Sequence, residues 1–122
     1  MGVMNHNAVL ASTWSDEHAN GVKEWIAGRS EVERDLFLFG GKKVNNEQTI
    51  VLVPDGSKEG WQESENGDAL RQAFIERLEQ DDYEDGSSPW SWVEVGYGEF
   101  GQKVLRGNNR NCYTDEDYSI GA

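Results

Sequence analysis

Two spacings of apolar residues alternate along the chain. Short continuous or alternating runs mark strands, and recurrences every three to four residues mark helices. Residues 7–13 read as a first short strand, with Val9 and Leu10 between Ala8 and Ala11. His18, Val22, Trp25 and Ile26 then recur at helical spacing, so one stripe faces inward. Ser15 is a fitting N-cap for this helix, and Asp16 and Glu17 suit the positive end of its dipole. Gly28 suits the C-cap, while Gly21 inside the helix costs about 1 kcal/mol. Residues 36–39 and 49–53 are apolar runs too short for helices and suit buried strands. Asn45 and Asn46 between them tolerate the left-handed backbone of a tight hairpin, which takes its loop or bulge at Gly40 and Gly41.

A second helix is predicted to begin near Asn66 or Asp68, with Leu70, Phe74, Ile75 and Leu78 inward. Arg71 and Arg77 alternate with Glu76 and Glu79 on its outer side. Residues 81–89 form a turn-rich loop, and residues 90–97 alternate as a strand. Ser91, Val93, Val95 and Tyr97 fall on one side of that strand, and Trp90, Trp92 and Glu94 on the other. A turn at residues 98–101 leads to a last strand over residues 102–106.

The order is β-α-β-β-α-β-β. It predicts an α+β domain, a two-layer sandwich of an antiparallel or mixed sheet with two helices on one face. The first six elements match the split βαβ order of ferredoxin-like folds. Residues 1–122 read as a single domain, with 1–6 and 107–122 as flexible ends. If Val93 and Val95 face the helices, Trp90 and Trp92 lie on the open face of the sheet. There they either cover the sheet, against the tail with Tyr113 and Tyr118, or form a binding hot spot. Trp14 and Trp25 are expected to pack inward around the first helix, and Trp61 to staple the second.

Composition sharpens this picture through charge. Acidic residues number 23 and basic residues 11, a net charge of −12. Such a charge argues against a protein that grips nucleic acid directly, and it is repelled by anionic membrane surfaces. No apolar stretch is long enough to span a membrane, and the N-terminus lacks the pattern of a signal peptide. A single cysteine, Cys112, makes no internal disulfide, which fits a reducing cytoplasm.

The excess is concentrated. Residues 55–100 carry thirteen acids and three bases, whereas residues 1–54 carry seven and five. The densest part is Glu79, Asp81, Asp82, Glu84 and Asp85, with Tyr83 among them. Such a run is either a solvated loop or a surface that meets a basic partner. A basic surface of high density is what nucleic-acid-binding proteins offer.

Other chemistry is poorly provided for. Residues 81–92 resemble a calcium loop only at Asp81, Asp85 and Gly86; Tyr83 and Trp92 stand where oxygen ligands are needed. Two histidines and one cysteine assemble no zinc site. His18 suits a partly buried structural role, and Cys112 has no identifiable base. No phosphate-binding glycine loop is present. No catalytic residue, cofactor or metal is therefore assigned, and the chain reads as a non-enzyme.

Residues 85–98, from Asp85-Gly86-Ser87-Ser88-Pro89-Trp90 to Gly96-Tyr97-Gly98, resemble stretches in small acidic bacteriophage proteins, and residues 53–61 add to the likeness. The resemblance implies a phage origin and, by analogy with anti-CRISPR and DNA-mimic proteins, a host target. The leading expectation is a cytoplasmic, non-enzymatic inhibitor of a basic host defence or nucleic-acid-handling protein. Its partner-binding residues would be Glu79, Asp81, Asp82, Tyr83, Glu84, Asp85, Trp90 and Trp92. One alternative is a small-ligand-binding domain, a sponge for a signal nucleotide with a tryptophan-lined pocket, which requires Lys42, Lys43, Arg106 and Arg110 to converge. Another is an immunity-type antitoxin against a nuclease.

Overall fold

Strand β1 (Asn5–Thr13) runs through the middle of a five-stranded antiparallel sheet in the order β2-β3-β1-β4-β5. The other strands are β2 (Phe37–Phe39), β3 (Gln48–Leu52), β4 (Ser91–Gly98) and β5 (Gly101–Gly107). Helix α1 (Asp16–Ala27) and the short α2 (Glu31–Arg34) connect β1 to β2, and α3 (Gln62–Glu79) connects β3 to β4. This computed structural model describes residues 5–40, 45–55, 62–99 and 101–108. Trp61, Lys42, Lys43, Arg110, Cys112, Tyr113 and Tyr118 lie outside them.

The architecture is the predicted α+β sandwich. β3 lies between β1 and β2, so β1-α1-β2 is a split βαβ unit, and β5 extends the sheet beyond β4. The caps follow the sequence: the Ser15 hydroxyl accepts from the His18 N–H at 3.3 Å, and the Gly28 N–H closes the last turn of α1. Asn45 and Asn46 adopt φ of 56° and 59°, the left-handed backbone expected of them. The chain has one helix more than the pattern predicts, and several bounds shift. α2, capped by Ser30, is that helix, and β1 already begins at Asn5, inside the end predicted to be flexible. α3 begins at Gln62, several residues before Asn66.

One face of the sheet carries the core. Val9 and Ala11 of β1, Ile50 and Leu52 of β3, Phe37 of β2 and Trp92 of β4 pack against Ala19, Val22 and Ile26 of α1 and Leu70, Phe74, Ile75 and Leu78 of α3. The rings of Phe37, Phe74 and Trp25 meet edge-on or stacked, with centroids 5.1–6.2 Å apart. Gly67 permits a close approach here: a Cβ at that position would fall 1.8 Å from the Asp55 carboxylate.

The strand assigned to residues 90–97 has the opposite facing to that expected. Val9 pairs with Glu94 and Ala11 with Trp92, so Trp92 and Glu94 share the buried face of β1. Trp90 and Trp92 are only 3% and 7% exposed. Val93 and Val95 instead point to the open face. Two indoles bury far more apolar area than two isopropyl groups, so the larger side chains take the helix-covered side. Arg71, expected on the outer side of its helix, is buried too, with its guanidinium 3.5 Å from Glu94. Trp14 points outward and is 65% exposed, since it follows Thr13 at the end of β1. Leu38 and Phe39 are exposed, because β2 is an edge strand.

Replacing Trp92 by alanine removes a core side chain and leaves a cavity under α3. The expected loss is about 3–5 kcal/mol, read as a fall in the denaturant midpoint. A loss below about 1 kcal/mol would mean the indole is not in the core.

Candidate acidic surface

The acidic run divides into one structural residue and several free ones. Asp81 lies two residues past the end of α3 and is held twice: it accepts from the Trp90 indole N–H at 2.7 Å and pairs with Arg77 at 3.1 Å. Its side chain is 14% exposed. Asp81 is therefore a bracket between α3 and the entry to β4, and its assignment to the partner-facing set is corrected. Trp90 and Trp92, buried in the core, offer no open face to a partner either.

Glu79, Asp82, Glu84 and Asp85 are exposed, and Tyr83 among them is 51% exposed. The loop that displays them is a folded turn. The Tyr83 N–H donates to the Ser87 carbonyl at 2.8 Å, and the Gly86 N–H to the Tyr83 carbonyl at 2.9 Å. Gly86 takes a φ of 89°, a left-handed backbone that L side chains rarely adopt. The Asp85 carboxylate accepts from the Ser87 hydroxyl at 2.6 Å and from its N–H at 2.9 Å, and these bonds hold its pKa below the usual carboxylate value. The Tyr83 ring meets His18 edge-on, with centroids 6.2 Å apart, which ties the loop to the first turn of α1. The same turn carries Asp16 and Glu17. His18 itself is half-buried beside the Ser15 hydroxyl at 2.8 Å, a contact within the N-cap of α1.

The cations of α3 do not offset these acids. Arg71 is buried between Asp68 and Glu94, and Arg77 is spent on Asp81. Arg106 of β5 reaches Glu94 at 2.7 Å and Gln72 at 2.6 Å. Glu76, Glu79, Asp82 and Glu84 make no ion pair with a described residue. They gather at the C-terminal end of α3, where the helix dipole opposes negative charge.

The Arg71–Glu94–Arg106 cluster escaped the sequence reading. Its signal lay in the spacing, because Arg71 stands three, four and seven residues before Phe74, Ile75 and Leu78 and so shares their stripe. A cation in an apolar stripe calls for a buried acid opposite. Among the described residues, no group of three or more His, Cys, Asp or Glu side chains is placed to hold a metal ion. Among the described residues, too, no helix is long and apolar enough to cross a membrane. Comparison with protein-family models, curated proteins and solved structures finds no match to the chain.

Asp81 and Asp82 are adjacent acids with different duties. Asp81→Ala should cost about 2–3 kcal/mol, because it removes two charge-assisted bonds from a largely buried site. Asp82→Ala should stay within about 0.5 kcal/mol of wild type. Equal effects in urea denaturation would contradict this division.

Proposed function

We propose that the protein is a non-enzymatic acidic inhibitor of the phage type, which docks on the basic nucleic-acid-binding surface of a host defence or nucleic-acid-handling protein. The observation that carries the reading is the uncompensated acidic end of α3. Glu76, Glu79, Asp82, Glu84 and Asp85 occupy ten residues, while the helix's own arginines are turned inward. Like charges held together against a helix dipole cost stability, and a local rule broken in this way marks a functional site.

The loop is pinned by its own hydrogen bonds and by the His18–Tyr83 contact, so the carboxylates are presented with little entropy left to lose on binding. Exposed carboxylates facing Lys and Arg accelerate encounter and fix orientation. Tyr83, at the centre of the acids, supplies the aromatic anchor that binding surfaces favour. A tryptophan-lined ligand pocket draws no support from Trp90 and Trp92, which are core residues. A nuclease bound as its target would make the same surface an immunity-type plug.

Capture from bacterial lysate on the immobilised protein, followed by competition, tests the reading. The captured partner should be displaced by nucleic acid and by raised salt. The variant with Glu79→Gln, Asp82→Asn, Glu84→Gln and Asp85→Asn should bind at least tenfold more weakly, a loss of about 1.4 kcal/mol, with a shallower salt dependence. A partner that holds nucleic acid and this protein together, or that ignores the neutralised loop, refutes the proposal.

A further inference from the structure

The open face of the sheet is apolar where an antiparallel sheet facing water ordinarily carries polar and charged side chains. Leu10 and Ala8 of β1, Leu38 of β2, Val51 of β3 and Val93 and Val95 of β4 point to it, as their registers require. Val104 of β5, opposite Val95, continues it to the far edge and is 66% exposed. Its polar positions include Ser12 and Thr49, which bond to one another at 2.8 Å, and His6 and Tyr97, whose rings meet at a tilt with centroids 5.1 Å apart. Among the described strand residues, none on this face is Asp, Glu, Lys or Arg, although 28% of the chain is charged.

We infer that this face is the interface of a two-fold homodimer in which two sheets pack face to face. The inference is independent of the inhibitor reading. Charge selects the occupant. Among the described residues the acids lie on the helices and on the loops and turns, or, for Glu94, on the inner face of the sheet, so most described surfaces of a second copy are repelled. Among the described surfaces the open sheet face carries none of these acids, and a two-fold interface requires one self-complementary patch. Packed sheets lie about 10 Å apart, and each helical layer adds roughly another 10 Å. The two acidic surfaces then point away from each other, separated by several Debye lengths of about 8 Å.

The area suffices for a modest association. Four inter-strand spacings of about 4.8 Å, over a strand length of about 20 Å, project to roughly 400 Å². Corrugation raises the accessible area above the projection, so two copies together remove on the order of 1,000 Å², the low end for specific interfaces.

Sedimentation equilibrium of the full chain, from a few micromolar to several hundred micromolar, tests this. The mass should rise from 13.7 kDa toward twice that value, and added salt should strengthen the dimer or leave it unchanged. Val104→Glu and Val104→Lys, at an exposed position that leaves the core intact, should each weaken it at least tenfold, as should Leu10→Lys. Val32→Glu, on the exposed side of α2, should leave it unaffected. A monomer throughout, as would result if the chain covered its own sheet, overturns the inference. So does a dimer that Val104→Lys strengthens, or one that Val32→Glu weakens as much as Val104→Glu does.

Discussion

Which side of β4 faces the helices decides most of what this molecule can present to others. Trp92 and Glu94 take the inner side, opposite Ala11 and Val9 of β1, and every neighbour follows from that choice. The indole of Trp92 supplies core volume beneath the helices. Glu94, carried inside on the same side, needs cations and takes them from α3 and β5. A buried carboxylate without such partners would cost several kcal/mol.

That requirement redistributes the charge of the whole surface. Arg71 is drawn inward to Glu94, and Arg77 is held by Asp81, which also anchors the Trp90 indole. The helix is left with its described acids outside and its bases inside. The negative surface at the end of α3 is therefore partly a product of the core. On the opposite side of the sheet, the same facing of β4 sends Val93 and Val95 outward and completes a face without charge. One strand's orientation thus separates a strongly acidic layer from a neutral one.

The sequence carried the five strands, the two longer helices, both caps of α1, the left-handed Asn45 and Asn46 and the α+β class, because these rest on local patterns; the short α2 it did not carry. It did not carry the facing of β4. Residues 90–97 place aromatic side chains on one side and valines on the other, so both sides read as apolar. Periodicity of two cannot choose between two apolar sides; the volume available beneath the helices does. Glu94, on the same side as the tryptophans, did not settle the choice either. Its true signal was Arg71, at a core position of α3. Within the acidic run, Asp81 was indistinguishable from Asp82 by composition, because its role depends on Trp90, nine residues away.

The coupling between Arg71 and Glu94 tests the facing of β4 most directly. Arg71→Met and Glu94→Met, made singly and together, form a double-mutant cycle in denaturant unfolding. With Glu94 turned toward α3, each single change takes one ion-pair partner from a buried group, leaving Glu94 to Arg106 or Arg71 to Asp68, and the double variant should be at least about 1 kcal/mol more stable than the sum of the single losses implies. Additivity within about 0.5 kcal/mol would place Glu94 on the open face, and with it would fall both the inward arginines and the charge-free sheet.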